Sequence, residues 1–382
     1  MFKTCVRTYP WDFPAAAPGD VLDVIRGSWG ADEITLRIGV PAGCFPRTAP
    51  DRGTFETAEG GIAFTPQTRR HPRSRLRALP LRCHSGFATF EAVLEACRDR
   101  DIGVRVHLSA SRTGRLADAH ADHACRDSTG SRSGQSLCLA SEDAQAFLVA
   151  LVEDLSTREG VTAIELADVV IRCGEYWTEP LRDNGRQVHT TTLLGLCFCE
   201  SCLQQAAGAG IDPDAVTGEL NRKFATPLPP SFAAPRSCAD WERSHPALGA
   251  YFRLRAERIQ GVVRECIRAS AAPVFLERAG DADEAIQHEM IPSSLPAGWI
   301  IECSPESENA PASAAADAYC RFRLARWLSD AASGDALVYA CKRCADEGYA
   351  GAEFDALGDL HGDDGQILRR AIRFARRTGL AD

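Results

Sequence analysis

Short apolar runs alternate along the chain with longer stretches in which apolar residues recur every three or four positions. The first pattern predicts β-strands and the second predicts amphipathic helices. The predicted strands are Thr4–Tyr9, Glu33–Val40, Val104–Ser109, Thr162–Val170, Pro273–Arg278, Trp299–Cys303 and Ala350–Ala356. The clearest predicted helices are Phe90–Arg98, Ala144–Leu155, Leu248–Ala269, Ala315–Ser329, Ala336–Glu347 and Gly365–Arg377.

This alternation of strand and helix is typical of βα units that form a parallel sheet, either closed as a barrel or doubly wound. Seven strands are clear, and we expect an eighth in the irregular stretch near Ile286 to Ile291. The sequence therefore predicts an α/β fold, a TIM-type (β/α)8 barrel with one irregular strand. Because such barrels commonly exceed 250 residues as one unit, we expect residues 1–382 to form a single domain.

Three long connections interrupt the regular pattern. Arg112–Gln135 follows the third predicted strand, and Arg172–Leu196 follows the fourth. Both leave the carboxyl ends of strands, where barrel enzymes build their active sites, so we expect them to form the site. The third, Ala206–His245, contains the run Pro227-Leu-Pro-Pro230 and is predicted to be a surface insertion.

The predicted strands contain charged residues that a strand buried on both faces should lack. These residues are Arg7, Arg37, His107, Glu165, Glu277 or Arg278, Glu302, Glu353 and Asp355. The period-two alternation of a strand places them on the face opposite the apolar residues, and therefore in the barrel interior. Such a ring indicates an active site at the barrel mouth, although buried ion pairs with a structural role give the same pattern.

The amino-acid composition indicates which kinds of binding partner to expect. With 45% hydrophobic residues and a net charge of -9, the chain is expected to be a mildly acidic globular protein. It has no basic, aromatic-interleaved stripe for nucleic acid and no apolar run long enough for a signal peptide or a membrane span. We therefore expect a cytoplasmic protein whose 16 cysteines are thiols or metal ligands. The sequence is compatible with a homo-oligomer and does not determine the oligomeric state.

The densest chemical motif is Cys197-Phe-Cys-Glu-Ser-Cys202, which places three thiols in six residues. This is metal-ligand spacing, and a fourth ligand must come from elsewhere. Two interpretations follow from the residues. Three thiolates and a water would make an open, catalytic metal site, whereas a fourth protein ligand would close a structural one.

Other candidate ligands carry weaker signals. Cys341 and Cys344 form a second Cys-x-x-Cys motif, but it lies in a helical pattern without an evident partner, so we interpret both as core thiols. Single cysteines in apolar segments, such as Cys320, are interpreted in the same way. His120 and His123 could ligate a metal together with His189, although a solvated polar loop is the simpler interpretation.

The segment from Ser136 to Cys202 resembles the middle of glycoside hydrolase-type TIM barrels. It contains Ser-Leu-Cys-Leu-Ala-Ser at 136–141, a helix, the strand Gly-Val-Thr-Ala-Ile-Glu-Leu at 160–166, and the cysteine motif. The zinc-clamped barrel of the family 42 β-galactosidases and related uncharacterised hydrolase-like proteins share this layout. The resemblance implies that Cys138 joins Cys197, Cys199 and Cys202 around a structural Zn²⁺.

The resemblance does not extend to the catalytic residues. In those β-galactosidases an Asn-Glu pair shortly before the cysteines carries the acid/base. Here Gln187, Val188 and His189 occupy that approach, and the sequence contains no Asn-Glu pair. The catalytic residues must therefore be predicted from the strands alone.

The main hypothesis is a glycoside hydrolase-like enzyme that acts on a small carbohydrate or sugar-like substrate. Two strand carboxylates, Glu165 with Glu302 or Glu353, would act as the acid and the nucleophile or base. The predicted substrate-binding residues are Arg7, Arg37, His107, Trp177, Glu277 and Asp355, and Trp177 with the adjacent Tyr176 would stack on a sugar ring.

Two other functions remain open. In the first, His107 and the carboxylates of Glu165, Glu277 and Glu302 would chelate Mn²⁺ or Mg²⁺, as in sugar isomerase or epimerase barrels. In the second, the barrel binds a carbohydrate without catalysis. The second predicts that no pair of interior carboxylates has the roughly 5 to 9.5 Å separation that glycoside chemistry requires.

Overall fold

The structure is a computed structural model, and it describes residues 2–47, 55–67, 74–169, 196–224, 242–243, 245–278, 295–303, 318–328, 333–355 and 364–378. Eight parallel strands close into a barrel: β1 (Lys3–Thr8), β2 (Glu33–Arg37), β6 (Gly103–Ser109), β9 (Val161–Ala167), β10 (Val274–Arg278), β11 (Gly298–Cys303), β12 (Tyr319–Arg323) and β13 (Gly351–Asp355). They follow this order around the barrel, and β13 pairs with β1 to close it. The predicted TIM-type (β/α)8 fold is confirmed.

The eighth strand is not where the sequence suggested. The predicted position near Ile286 to Ile291 lies outside the described residues, and β12 completes the barrel between β11 and β13. This strand falls inside the predicted helix Ala315–Ser329, so that prediction was wrong over Tyr319–Arg323. The alanine-rich approach suggested a helix, but Cys320 and Phe322 alternate with Tyr319 and Arg321 at the strand period.

Two small antiparallel sheets accompany the barrel. The predicted strand Glu33–Val40 divides at Ile38 into β2 and β3 (Gly39–Pro46). Strand β3 pairs with β4 (Phe55–Ile62), and β4 with β5 (Arg82–Cys83). The predicted loop Arg112–Gln135 contains a short helix and most of a hairpin, formed by β7 (Ala124–Arg126) and β8 (Arg132–Leu137).

Helices cover the outside of the barrel. They are α1 (Pro18–Asp23), α2 (Phe90–Arg98), α3 (Arg115–Ala119), α4 (Glu142–Ser156), α5 (Glu200–Gly208), α6 (Pro213–Phe224), α7 (Pro246–Ala269), α8 (Leu324–Trp327), α9 (Ser333–Asp346) and α10 (Asp364–Thr378). A 3-10 turn at Pro10–Asp12 and a π-helical stretch at Val24–Trp29 complete the described helical elements. None of the helices within these ranges is long and apolar enough to cross a membrane.

The predicted surface insertion Ala206–His245 is partly helical. The end of α5 and all of α6 lie within it. The prolines from 227 to 230 lie outside the described residues. Helix α6 packs against α7, so the first part of this segment belongs to the helical layer around the barrel.

The main core lies between the strands and the outer helices. In β6, for example, Val104, Val106 and Leu108 are fully buried in this layer. The alternate residues of the same strand, Arg105 and His107, face the interior of the barrel. A separate small apolar group, Ala163, Phe275, Ile300 and Tyr319, fills part of that interior. Above and below this group the interior is charged.

Candidate active site in the barrel interior

Arg321 is the centre of the interior charges near the carboxyl ends of the strands. Its guanidinium contacts the carboxyls of Glu165 and Glu277, and its Nε lies 2.6 Å from Oε1 of Glu353. These four residues come from four different strands, and the Arg321 side chain is 1% exposed. The barrel thus brings residues that are distant in the sequence into one cluster. The planar, permanently charged guanidinium of Arg321 holds them together.

A second guanidinium joins the cluster from β1. Nη1 of Arg7 lies 3.3 Å from Oδ2 of Asp355 and 3.7 Å from Oε1 of Glu277, and its Nη2 lies 3.6 Å from Oε1 of Glu165. Arg37 approaches the same Asp355 oxygen to 3.7 Å and places its guanidinium over the ring of Tyr9. The predicted substrate-binding arginines are therefore engaged with carboxylates inside the barrel.

Glu302, one of the three predicted catalytic carboxylates, has a different partner. Its Oε2 lies 2.7 Å from Nη2 of Arg323, the last residue of β12. It makes no ion pair with Arg321 or Arg7 among the described contacts. Glu165 and Glu353 thus come together on one guanidinium, whereas Glu302 forms a separate pair.

The carboxyls of the cluster differ in their affinity for protons. Burial, reinforced by the Glu353 carboxylate, raises the pKa of Glu165 to about 8. Burial also opposes the charged form of Glu353, but Arg321 and Arg7 outweigh it and lower the pKa of Glu353 to about 2. A hydrogen bond from the Glu165 carboxyl lowers the pKa of Glu353 further. At neutral pH Glu165 therefore keeps its proton while Glu353 is ionised.

The charge balance agrees with this assignment. For Glu277 and Asp355, burial again works against ionisation, but the nearby arginines lower both pKa values. The ionised carboxylates of Glu277, Glu353 and Asp355 thus balance the cations of Arg7, Arg37 and Arg321. An ionised Glu165 would add an uncompensated charge in a buried site, which is costly. Oε2 of Glu165 has no hydrogen-bond partner among the described residues.

His107 lies beside these carboxyls on β6. Its Nε2 is 3.5 Å from Oε2 of Glu277 and 4.0 Å from Oε1 of Glu165. Burial and the Arg7 charge lower the pKa of His107 to about 3, so the imidazole is neutral at physiological pH. Its Nδ1 has no hydrogen-bond partner within the described ranges.

Arg321 was missed at the sequence level, as was Asp168 at the carboxyl end of β9. Arg321 lies in the segment that was assigned to a helix, so its inward position could not be predicted. Asp168 directly follows β9 and has a left-handed backbone with φ 54°. Ser109 donates to its carboxylate, and Ser111 donates to its backbone carbonyl at 2.9 Å. Strained backbone and a carboxylate at a strand terminus are both signs of a functional position.

Among the described residues, the interior also contains one group of potential metal ligands. A ring nitrogen of His107 and carboxylate oxygens of Glu165 and Glu277 lie within 4.8 Å of one another. The guanidiniums of Arg321 and Arg7 occupy the same space, and Glu165 is protonated. A divalent cation prefers a site rich in ionised oxygen ligands without adjacent positive charge. These residues therefore fit Mn²⁺ or Mg²⁺ poorly, and Glu302, the predicted fourth ligand, is paired elsewhere.

The four predicted zinc ligands lie together outside the barrel. The sulfur atoms of Cys138, Cys197, Cys199 and Cys202 are within 4.8 Å of one another, and all four residues are buried. Cys138 Sγ lies 3.4 Å from Cys202 Sγ. Backbone N–H groups of Arg126 and Cys199 donate to Cys197 Sγ at 3.4 Å. Buried sulfurs that receive backbone hydrogen bonds are well suited to bind Zn²⁺ as thiolates.

Helix α7 completes the surroundings of this cysteine group. Nη1 of Arg255 lies 2.6 Å from Cys202 Sγ, and the hydroxyl of Tyr251 donates to the backbone carbonyl of Cys197. Four thiolates around one Zn²⁺ would leave two negative charges, which a buried guanidinium would partly compensate. The donor set thus fits a closed zinc site.

Five predicted residues remain to be placed. Trp177, Tyr176 and His189 lie outside the described residues. The rings of His120 and His123 are 6.4 Å apart between centroids. Nδ1 of His123 is instead 2.8 Å from Oγ of Ser141, the N-cap of α4. This contact supports the structural interpretation of His123.

Comparison with known proteins shows which solved structures share this barrel fold. No protein-family model and no curated protein matches the sequence. The structure is similar to α-L-fucosidase isoenzyme 2 from Paenibacillus thiaminolyticus, with a TM-score of 0.57 and 14% identity over 98% of this chain and 49% of that chain. It is also similar to a β-galactosidase from Halorubrum lacusprofundi, with a TM-score of 0.55 and 13% identity over 100% and 58% of the respective chains.

A third similar structure has almost the same length as this chain. It is the PgaB (BpsB) glycoside hydrolase domain from Bordetella bronchiseptica, with a TM-score of 0.53 and 12% identity over 97% of this chain and 98% of that domain. The chain spans less than two thirds of the fucosidase and the β-galactosidase. Identities this low establish a shared barrel fold and leave the reaction to be argued from the site.

Proposed function

We propose that the protein is a carbohydrate-active enzyme of the glycoside hydrolase type, with its active site at the charged end of the barrel interior. The observation that carries this proposal is the difference between neighbouring carboxyls. Glu165 retains its proton, while Glu277 and Glu353 are ionised by the same guanidinium. A protonated carboxyl beside an ionised one is the arrangement that glycoside hydrolysis requires.

The proposal gives these carboxyls different roles. Glu165 is the general acid. Glu277 is the ionised partner, because 22% of its side chain is exposed and substrate can reach it. Glu353 is fully buried, and its oxygens accept hydrogen bonds from Arg321 and Thr35. We assign it a positioning role, since both of its oxygens are already engaged, whereas Oε2 of Glu165 has no hydrogen-bond partner among the described residues.

The separation of the two reacting carboxyls leads to a stereochemical expectation. Oxygens of Glu165 and Glu277 lie within 4.8 Å of each other. This is shorter than the roughly 6.5 to 9.5 Å that leaves room for water in inverting enzymes. The reaction should therefore retain the anomeric configuration. Glu277 would attack the anomeric carbon while Glu165 protonates the leaving oxygen, and Glu165 would then deprotonate the water that releases the sugar.

The test is hydrolysis of a panel of aryl glycosides that includes an α-L-fucoside and a β-D-galactoside. We expect turnover of at least one substrate, and a loss of at least about 100-fold in kcat for Glu165→Gln and for Glu277→Gln. The matched control is Glu33→Gln, which changes another buried glutamate held by an arginine, at the opposite end of the barrel. Proton NMR of the first product identifies its anomer.

Two results would contradict the proposal. One is sugar binding, measured by calorimetry, without hydrolysis of any glycoside in the panel, which would indicate a non-catalytic carbohydrate-binding barrel. The other is activity that disappears with EDTA and returns with Mn²⁺ while the cysteine group is unchanged, which would indicate the isomerase or epimerase alternative.

We also propose that Cys138, Cys197, Cys199 and Cys202 hold a structural Zn²⁺. The support is their donor chemistry: four buried sulfurs, backbone hydrogen bonds to Cys197, and the Arg255 guanidinium beside Cys202. The ion would join the start of α5 to the segment before α4. Replacement of Cys199 by alanine should remove one equivalent of zinc, and unchanged zinc content in a folded variant would contradict the assignment.

A further inference from the structure

A second group of thiols lies on the outer face of the barrel wall. Cys303 ends β11, Cys320 lies in β12, and Cys344 lies in the outer helix α9. Their sulfur atoms are within 4.8 Å of one another, and Cys344 Sγ is 2.7 Å from Cys320 Sγ. The expectation that Cys344 and Cys320 are isolated core thiols was therefore wrong. Three separate elements each bring one sulfur to the same point.

This group is enclosed by the protein. Cys303 is 6% exposed, Cys320 is fully buried, and Cys344 is 1% exposed. The indole N–H of Trp327 donates to the backbone carbonyl of Cys303 at 3.2 Å and fixes the end of β11. Buried cysteines usually pack singly, as small hydrophobic side chains. Three that converge in one apolar site form the donor set that thiophilic metal ions select.

Three buried sulfurs this close together can all ionise only when a cation lies between them, because adjacent buried negative charges repel each other. A bound metal ion would supply that positive charge at the centre of the group.

The position of the group connects it to the charged interior. Cys303 directly follows Glu302, and Cys320 directly precedes Arg321. Because side chains alternate along a strand, the sulfurs point outward where the charged neighbours point inward. An ion that holds these sulfurs would fix the two strands that carry Glu302 and Arg321.

We propose that Cys303, Cys320 and Cys344 bind one thiophilic d¹⁰ metal ion, Zn²⁺ or Cu⁺, which joins β11 and β12 to helix α9. The proposal is independent of the enzymatic function above. Cys341 lies one helical turn before Cys344 and is also fully buried. It distinguishes the two ions, since Zn²⁺ in a closed site takes four ligands and would recruit Cys341, whereas three thiolates are sufficient for Cu⁺.

The experiment starts from the reduced, metal-free full chain, which is titrated with Zn²⁺ and, in a separate anaerobic arm, with Cu⁺. Native mass spectrometry counts the bound ions. We expect one ion fewer per chain in the double variant Cys303→Ala and Cys344→Ala than in the unsubstituted protein. The matched control is Cys97→Ala, a buried cysteine of α2 outside both thiol groups, which should leave the count unchanged. Cys341→Ala should lower the Zn²⁺ count and leave the Cu⁺ count unaffected.

A second measurement avoids substitutions that could prevent folding. The unsubstituted protein is alkylated with and without each metal at a urea concentration that opens buried thiols to the reagent, and peptide mapping locates the modified cysteines. Metal-dependent protection of Cys303, Cys320 and Cys344, with no metal dependence at Cys97, supports the site. Equal modification with and without metal would overturn it, as would a Cys320–Cys344 disulfide found in protein purified without reductant.

Discussion

The two ends of the barrel interior are both charged, but they are organised differently. At the amino-terminal end, Glu33 lies between Lys3 and Arg105, at 2.8 Å and 2.7 Å. The Arg105 guanidinium stacks on the ring of Tyr319 at 3.7 Å. At the carboxyl-terminal end, three glutamates share Arg321, and one of them stays protonated.

This difference separates a structural arrangement from one capable of chemistry. A single carboxylate between two cations is fully compensated and has no reason to bind a proton near neutral pH. At the carboxyl-terminal end, burial of Glu165, together with the neighbouring carboxylates of Glu353 and Glu277, outweighs Arg321 and Arg7 and leaves a proton on Glu165. Groups whose environments push their pKa values apart are characteristic of active sites. The predictions that follow test this contrast, beginning with the largest effect.

The first prediction concerns Arg321. Arg321→Met keeps the length of the side chain but leaves Glu277 and Glu353 without their closest cation. Removing one partner from a buried ion network costs about 3 to 5 kcal/mol, so we expect a loss of this size in the free energy of unfolding, measured with urea. Arg105→Met is the matched control. We expect it to lose less, because Glu33 keeps Lys3. Equal losses would contradict the proposed difference between the two ends.

The second prediction uses pH. The pKa of Glu165 is about 8 in the folded protein and 4.5 in an ordinary glutamate, so between these values the folded state binds more protons than the unfolded state. The stability that this group contributes is complete below about pH 4.5 and is lost as pH rises to about 8. In Glu165→Gln this loss should be absent, a difference on the order of a few kcal/mol across that range.

The control for this experiment is Glu33→Gln, which should behave in the opposite way. Burial raises the pKa of Glu33, but Arg105 and Lys3 outweigh that effect and lower it below 4.5. The carboxylate of Glu33 therefore stabilises the folded protein above that pH, and this contribution is lost as pH falls. Denaturation curves from pH 4 to 9 should show a changed slope for Glu165→Gln and a lower stability near pH 7 for Glu33→Gln. Parallel curves for the two variants would contradict the assignment.

The third prediction concerns the hydrogen bond from Thr35 to Glu353. The hydroxyl of Thr35 donates to Oε2 of Glu353 at 2.8 Å, and the thiol of Cys5 lies 3.0 Å from that hydroxyl. Thr35→Val keeps the shape and removes the donor, which should cost about 2 kcal/mol because the acceptor is charged. Thr8→Val is the matched control, since Thr8 is also fully buried but its hydroxyl lies 3.4 Å from a neutral carbonyl. Urea denaturation of both variants measures the difference.

Much of the barrel could be predicted from the sequence, because an interior charge and an outward apolar residue alternate in most strands. Glu165, Glu353, Arg7 and His107 were assigned to the interior on this basis, and the structure places all four there. The cysteine group with Cys138 was expected from a resemblance between linear motifs. The spacing of Cys197, Cys199 and Cys202 brings three of these sulfurs together, whereas the place of Cys138 was implied only by the resemblance.

The pairing of charges could not be predicted. Strand β12 was hidden in an alanine-rich segment, and with it Arg321, the residue that brings Glu165 and Glu353 together. Glu302 alternates with apolar neighbours along its strand, as Glu353 does. Its position in the barrel nevertheless brings it to Arg323 and not to Arg321. The group of Cys303, Cys320 and Cys344 has no linear motif, since one sulfur comes from each of three elements. Such contacts depend on register and closure, which periodicity does not define.

The smallest expected effect concerns Lys3, at the open amino-terminal end. Its ammonium lies 2.8 Å from Oε1 of Glu33, but 52% of its side chain is exposed. Because solvent and salt screen such a pair, Lys3→Met should cost less than about 1 kcal/mol, and the cost should shrink further when the salt concentration is raised to about 1 M. The buried Arg105–Glu33 pair is screened less, so the loss in Arg105→Met should change little with salt. If Lys3→Met proved as costly as Arg105→Met at high salt, the exposed ion pair would stabilise the protein as much as the buried one, which would contradict this prediction.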